Sequence, residues 1–255
     1  MLAVGNSFSA NALHYFPEIV KAAGCKVIAT NAMIGGCDFE RHMRHADAFE
    51  ANPDDPQGRP YPGKKSLRDL LTLQKWDFVT IQQASPKSFR QETYHPHADR
   101  LIAYIKKYAP QAQIVIHETW AYRDDHRWFL ERDKNAEQPA SHDEMYRGVR
   151  AAYDKLAQET GFRMIPCGDA MELARLDPAW GKFEPDAAFD AKTAAYPALP
   201  KNEKRSLHSG YGWKKDAKTG KYALGKDAFH ANTAGEYLLG CVWLEFFFGQ
   251  SAVGN

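Results

Sequence analysis

The chain has 255 residues, 44% hydrophobic and 13% aromatic, a length and composition that can bury a sizeable core. Its 33 basic and 32 acidic side chains give a formal net charge of only +1, which argues against nucleic acid or an anionic membrane as a partner and favours a neutral or small substrate. No apolar run is long enough to span a membrane and no signal peptide precedes Leu2, but a leader could have been removed, so compartment and oligomeric state stay open.

The opening residues predict a strand, a tight turn and a helix. An apolar run at 1–4 stops at Gly5, Ser7 follows two residues later, and helical spacing extends from about Ala10 to Ala23. In an open α/β sheet such turns lie at the carboxyl ends of strands, where ligands bind, so Ser7 has the position of a nucleophile. Taken alone, a helix N-cap is the better interpretation of this serine.

A second strand is predicted at residues 26–33. Its β-branched run, residues 27–30, is typical of a buried parallel strand and leads into Gly35 and Gly36. Paired glycines after a strand let the backbone approach a ligand closely, although they also serve in a simple tight turn.

A third strand is predicted at residues 77–82, after a surface excursion at 47–65 and a short helical pattern at 66–74. Its downstream end should bring three polar side chains to the sheet edge that holds Ser7: Gln82, Gln83 and Ser85. The two glutamines are equally well explained as turn residues that bond the local backbone.

The fourth strand, residues 113–118, is followed by Trp120 and Tyr122. This end should also face the ligand crevice, where the two rings could stack on a sugar or close over an acyl group. His117 and Glu118 could act as an acid and a base, but buried polar residues with satisfied hydrogen bonds are the favoured interpretation.

A charge-rich run from Arg123 to Asp143 is typical of a solvated face. Asp124, Asp125 and His126 have side chains that bind cations, but adjacent residues seldom converge on one ion. We therefore predict no metal site and no cofactor.

The remaining pattern completes a single domain over residues 1–255. Further helices are predicted at about 96–108, 143–159 and 234–248 and from Gly168 onward, with a fifth strand at 162–166. This alternation predicts an α/β fold, a three-layer α/β/α sandwich with about five parallel strands in flavodoxin-like order.

A long section at 177–226 has little periodicity and many Lys, Pro and Gly residues, interspersed with aromatic residues such as Trp213. It leads directly into Asp227, so one interpretation is a lid over the site whose rings suit a carbohydrate. The other is a small satellite core formed by the same rings.

Asp227 and His230 are candidates to activate Ser7. A serine hydroxyl is a weak nucleophile until a base takes its proton and a third group orients that base. The three-residue spacing is weak evidence by itself, since His230 also fits a surface or capping histidine ahead of the last helix.

Four short blocks together resemble the SGNH (GDSL-like) hydrolase superfamily. Gly5-Asn6-Ser7-Phe8-Ser9 resembles its first block, with Asn6 where many members carry Asp, and residues 227–237 look like its last block, which supplies Asp and His. Residues 34–36 resemble the second block, whose glycine donates to the oxyanion hole. The third block departs from the family pattern, because residues 81–86 contain no Gly-x-Asn-Asp.

The resemblance implies a serine esterase with Ser7, Asp227 and His230 as its triad and no cofactor. It implies an oxyanion hole built from the backbone of Ser7 and Gly36, and Gln83, or else Gln82, is our substitute for the missing asparagine. The substrate expected from the resemblance is a carbohydrate O-acetyl ester. The predicted contacts to that small-molecule or glycan ester are Gln82, Ser85, Trp120, Tyr122 and Trp213.

Two alternatives stay open. The missing third block is compatible with a non-catalytic carbohydrate-binding protein. The cluster at 124–126 is compatible with a metal-dependent hydrolase.

Overall fold

Five parallel strands form the central sheet. The computed structural model describes residues 1–131, 137–180 and 182–254. The strand order is β2-β1-β3-β4-β5 and every adjacent pair is parallel, which confirms the flavodoxin-like prediction. The strands are β1 (Leu2–Gly5), β2 (Thr30–Met33), β3 (Phe78–Ile81), β4 (Gln113–His117) and β5 (Met164–Ile165).

Nine helices of four or more residues surround this sheet in the part of the chain that the structure describes. One group packs through contacts of α9 with α1, α2 and α8, and another through contacts among α3, α4 and α5. The helices are α1 (Ser7–Leu13), α2 (Phe16–Ala22), α3 (Phe39–Ala51), α4 (Leu67–Leu71), α5 (His97–Tyr108), α6 (Arg127–Leu130), α7 (His142–Thr160), α8 (Cys167–Leu176) and α9 (Thr233–Phe248). None of the described helices is both long and apolar enough to cross a membrane.

The first two strands differ in burial. All four residues of β1 are buried, as expected for a central strand covered on both faces. The second strand, predicted at 26–33, is parallel as expected but shorter, since β2 begins only at Thr30. The predicted burial of residues 27–30 is wrong, because Ile28 is 69% exposed. Since β2 is an edge strand, the β-branched residues that precede it are buried less completely than the sequence pattern suggested.

Two helices depart from the sequence pattern. The helix predicted at 10–23 is divided at His14 and Tyr15, and Pro17 lies in the first turn of its second half. Helix α3 was not predicted, because its four helically spaced apolar residues lie among many charged ones. Asp38 initiates it by accepting a hydrogen bond from the Arg41 backbone N–H at 2.7 Å.

The section at 177–226 ends in an antiparallel hairpin, β6 (Tyr211–Lys215) and β7 (Tyr222–Lys226), which the sequence analysis did not predict. Beside it Tyr196 stacks on Tyr222 at 3.8 Å and contacts Trp213 edge-on. The rings therefore form a satellite cluster, as one of the two interpretations held. Residue 181 of this section and residues 132–136 of the charge-rich run lie outside the described residues.

Candidate active site

Ser7 follows directly on the turn between β1 and α1, one residue beyond the turn itself. Asn6 is the N-cap of α1, its Oδ1 accepting from the Phe8 backbone N–H at 3.0 Å. The capping interpretation of Ser7 is therefore wrong, because Ser7 is the first helical residue and its hydroxyl is not used as a cap.

A chain of short hydrogen bonds joins Ser7 to residues far along the sequence. Ser7 Oγ lies 2.7 Å from His230 Nε2, and His230 Nδ1 lies 2.7 Å from Asp227 Oδ2. The other carboxylate oxygen of Asp227 accepts from the backbone N–H of Phe229 at 3.3 Å and of His230 at 3.0 Å. This geometry suits proton transfer from a serine to an oriented imidazole.

Asp227 is held in its ionised form. Burial alone would raise the pKa of its carboxyl, but hydrogen bonds from the His230 ring and from nearby backbone outweigh this and lower the pKa to about 2. The ionised carboxylate can accept from Nδ1–H of His230, which leaves Nε2 free to accept the Ser7 proton. The rings of Phe8 and Phe229 flank the imidazole, with centroids 5.8 and 4.3 Å away.

A cleft of about 340 Å³ opens beside the serine. Gly36, at a backbone φ of +60°, lies on its wall, so the second glycine block does reach the site. Aromatic rings and hydroxyl groups form much of the remaining lining. The residues around the cleft are Asn6, Ser7, Phe8, Gly36, Ser85, Pro86, Tyr122, His126, Arg127, Trp128 and Phe229.

Gln83 does not reach the cleft, so the structure contradicts its predicted place in the oxyanion hole. Its side chain is fully buried, with Oε1 accepting from the backbone N–H of Phe39 at 3.2 Å and Ala84 at 2.9 Å. Its Nε2 donates to the carbonyl and hydroxyl of Thr93 at 3.1 and 3.2 Å. The alternative that this glutamine serves nearby backbone is the one found.

Gln82 also lies behind the cleft, and its predicted contact with substrate is wrong. Its Nε2 donates to Asn6 Oδ1 at 2.9 Å, and Asn6 Nδ2 donates to the Cys37 carbonyl at 2.9 Å. A Cβ atom at Gly5 would come within 2.8 Å of the Gln82 side chain, so glycine is required there. This link, which we call the Gln82–Asn6–Cys37 clamp, ties the end of β3 and the Ser7 turn to the loop that carries Gly36.

The other four residues predicted to contact substrate lie in different places relative to the cleft. Ser85 and Tyr122 both line the cleft, with their hydroxyl oxygens 2.9 Å apart. Trp120 is wholly buried, where it stacks on Phe8 at 4.1 Å and donates from Nε1 to the Phe229 carbonyl, so it supports the site from behind. Trp213 belongs to the hairpin cluster and donates to the Ala198 carbonyl, away from the cleft.

The segment that covers the cleft is not the predicted one. None of the described residues at 177–226 lines it, whereas Arg127 and Trp128 of α6 and Phe229 do. Sequence reasoning missed these three because they lie inside a charge-rich run and inside the last block. The available signal was their position, within about ten residues of the end of β4 and next to His230.

The three side chains at 124–126 are not arranged around a common position for a metal ion. Asp124 pairs with Arg175, while Asp125 pairs with Arg123 and Lys226. The His126 ring packs among aromatic rings, where burial and the nearby Arg127 lower its pKa to about 4. Each member thus already has its own partners.

Another group brings possible ligand atoms within 4.8 Å of one another in the described chain: His142, Asp143 and Glu172. Arg175 donates to both of these carboxylates, at 2.9 and 3.3 Å. The His142 ring lies 2.6 Å from the Tyr122 carbonyl and 2.7 Å from Glu172. These contacts make the group an ion-pair network in which the guanidinium of Arg175 already binds both carboxylates.

His117 and Glu118 are buried, as favoured, but not fully satisfied. Neither ring nitrogen of His117 has a partner among the described residues, and burial lowers its pKa to about 3. Glu118 accepts from the Asp169 backbone N–H at 3.0 Å, while its second oxygen has no hydrogen-bond partner there. Burial, with the nearby Asp169 carboxylate, raises the pKa of Glu118 to about 8.

Comparisons with known proteins agree with this fold. The family model described as "Domain of unknown function (DUF4886)" matches residues 1–179. A DUF4886 family protein from Bacteroides uniformis is 25% identical over 100% of this chain and 84% of its own, with a TM-score of 0.70. A candidate SGNH hydrolase from Slackia heliotrinireducens is 19% identical over 96% of both chains, with a TM-score of 0.55. No curated protein matches the sequence. The resemblance to the SGNH hydrolases is therefore confirmed for the fold.

Proposed function

Because this chain belongs to the DUF4886 family and has the fold of the SGNH hydrolases, we propose that it is a serine esterase. The observation that carries the proposal is the continuous path from Ser7 Oγ through the His230 ring to Asp227, with 2.7 Å at each step. A nucleophile, a base and an orienting carboxylate in hydrogen-bond contact are the requirement for acyl transfer by serine.

The proposed reaction has two steps. His230 Nε2 takes the Ser7 proton as Oγ attacks the ester carbonyl, and Asp227 stabilises the imidazolium that forms. The imidazolium then protonates the departing alcohol, which leaves an acyl group on Ser7. Water attacks this acyl-enzyme with His230 again acting as the base, and the acid is released.

The tetrahedral oxyanion is assigned to the backbone N–H groups of Ser7 and Gly36. Ser7 is the first residue of α1, where backbone N–H groups have no partner within the helix, and Gly36 lies on the cleft wall. With Gln83 occupied elsewhere, the hydroxyl of Ser85, supported by Tyr122, is the cleft donor that takes the place of the missing asparagine.

We infer that the substrate is an O-acyl ester of a carbohydrate, with acetyl as the acyl group. Sugar rings present apolar faces and hydroxyl edges, and the cleft offers Trp128, Tyr122 and Phe229 together with the Ser85 hydroxyl. This reaction by itself requires no metal or organic cofactor.

The test is hydrolysis of 4-nitrophenyl acetate and of acetylated xylo-oligosaccharides by the wild type and by Ser7→Ala, with and without a chelator. Turnover that disappears in Ser7→Ala and is insensitive to the chelator supports the proposal. Glycan binding without turnover in both proteins would favour the non-catalytic alternative, and activity that chelation abolishes would favour a metal-dependent hydrolase.

A further inference from the structure

An arginine without an ion-pair partner among the described residues lies on the wall of the cleft beside Ser7. Arg127 is exposed on this wall and makes no ion pair with any described residue, whereas Arg123, four residues earlier, is paired with Asp125 and Glu203. No aspartate or glutamate is among the described residues that line the cleft. An unpaired guanidinium in such a wall is available to a ligand.

The acidic side chains that lie near the lining residues along the chain differ in whether a basic group pairs with them. Asp38, two residues after Gly36, is paired with Lys87 at 2.5 Å, and Asp125, before His126, is paired with Arg123 and Lys226. Asp227 contacts the ring that the proposed reaction uses as a neutral base, so it keeps its negative charge, and Glu131 makes no ion pair among the described residues. On the Gly36 loop, Arg41 donates to the Gly35 carbonyl at 3.1 Å and likewise makes no ion pair in the described chain. Arg127 is therefore the charged residue of the cleft wall that lacks a partner among the described residues, although the whole chain is nearly neutral.

Aromatic surface adjoins this charge. Trp128 follows Arg127 directly, and its ring centroid lies 5.1 Å from that of Tyr122, which in turn lies 5.6 Å from that of Phe229. A guanidinium beside a wall of rings suits a ligand that has a flat or apolar ring face and a carboxylate, since the planar fork of arginine binds carboxylates through two parallel hydrogen bonds.

We propose that Arg127 binds a carboxylate of the ester substrate, as in the O-acetyl ester of a sugar acid. A carboxylate at the end of a short acyl chain serves as a probe of the same contact. This inference rests on the proposed function for the reaction, but the binding of a carboxylate in the cleft does not depend on it. Arg127 then acts in specificity and takes no part in the proton transfers.

The kinetic test compares two substrates that differ in charge, the mono-4-nitrophenyl ester of glutaric acid and the 4-nitrophenyl ester of pentanoic acid. The wild type should favour the glutarate ester in kcat/KM, and Arg127→Gln should reduce that preference about tenfold. Arg127→Lys should retain part of it. Lys75→Gln, which removes a cation before β3 at the opposite edge of the sheet, should leave the preference as in the wild type.

Salt provides a second readout within the same experiment. Raising the ionic strength from about 0.05 to about 0.5 M should weaken the preference in the wild type, because surface charges are then screened over a few ångströms. The preference in Arg127→Gln should respond much less. A wild type that does not discriminate, or an equal preference in wild type and Arg127→Gln, overturns the proposal.

A binding measurement separates this inference from the esterase proposal. NMR titration of Ser7→Ala with phenylacetate and with 2-phenylethanol should show tighter binding of the carboxylate, and Ser7→Ala/Arg127→Gln should lose that difference. If no ester is hydrolysed but this difference is found, the esterase proposal fails and the carboxylate site stands. If esters are hydrolysed and phenylacetate binds no better than the alcohol, only the carboxylate site fails.

Discussion

Replacing Asn6 by alanine should destabilise the protein more than the loss of an ordinary helix cap. The Asn6 side chain caps α1, accepts from Gln82 and donates to Cys37, and all three residues are buried. Loss of the cap costs about 1 kcal/mol, and each buried polar group left without a partner costs about 1–3 kcal/mol. The free energy of unfolding should therefore fall by about 4 kcal/mol.

Asn232 offers a matched control. It is also an N-cap asparagine, accepting from the Gly235 backbone N–H at 3.0 Å and donating to the Ser206 carbonyl at 2.8 Å, but it is only partly buried and has no glutamine partner. Because Asn232 and Ser206 are only partly buried, Asn232→Ala should cost little beyond the loss of the cap, about 1–2 kcal/mol. Asn6→Asp, which keeps the acceptor and loses the donor to Cys37, should be less damaging than Asn6→Ala.

The assay is urea unfolding of the three variants and the wild type at one pH, with equal m-values as the condition for comparing free energies. The difference between Asn6→Ala and Asn232→Ala should be about 2 kcal/mol. Equal losses in the two alanine variants would refute the clamp as a source of stability and would leave Asn6 as a simple helix cap.

Three further predictions concern the catalytic proposal, pH and the glutamines. Asp227→Asn keeps an acceptor for the Phe229 and His230 backbone but presents an amide donor to the His230 ring, so kcat for 4-nitrophenyl acetate should fall about 10⁴-fold. The unfolding midpoint at neutral pH should fall only slightly, because the lost carboxylate interaction is partly exposed to solvent. Because the pKa of Glu118 is raised to about 8, the folded state holds a proton that the unfolded state loses near pH 4.5, and stability should decrease as pH rises from about 4.5 to about 8. Glu118→Gln should abolish this slope in thermal unfolding and be more stable than the wild type at pH 8, and a slope that persists would contradict it. Gln83→Leu should lower the unfolding midpoint, because it leaves the backbone N–H groups of Phe39 and Ala84 without an acceptor. The folded fraction of Gln83→Leu should retain more activity than folded Ser85→Ala.

The sequence by itself determined the order of strands and helices, and it identified candidate catalytic residues near both ends of the chain. Apolar runs of strand length alternating with helical spacing define a parallel α/β sheet, and a turn after β1 can lie only at its carboxyl edge, which placed Ser7. Asp227 and His230 were predicted because their block resembles that of a known superfamily. Their separation from Ser7 by more than 200 residues means that only folding could bring them to 2.7 Å.

Tertiary structure alone decided what the third block does. Gln82 and Gln83 occupy the predicted edge of the sheet, yet packing turns both amides into the interior, where unpaired polar groups are costly. There Gln82 donates to the Asn6 side chain and Gln83 donates to the Thr93 carbonyl. A residue type and a place along a strand do not specify the direction of a side chain. That direction depends on neighbours such as Asn6 and Thr93, which come from other parts of the chain.

Sequence patterns also did not identify the residues that form the cleft wall. Arg127 and Trp128 lie in a four-residue helix, too short to produce periodicity. In the aromatic section at 177–226, rings such as Tyr196 and Tyr222 stack on one another, partly exposed, and do not line the cleft beside Ser7. Local sequence thus determined strands, helices and turns, because these depend on neighbouring residues. Which surfaces meet around the serine was decided by long-range packing, because that depends on how much apolar area each distant segment can bury.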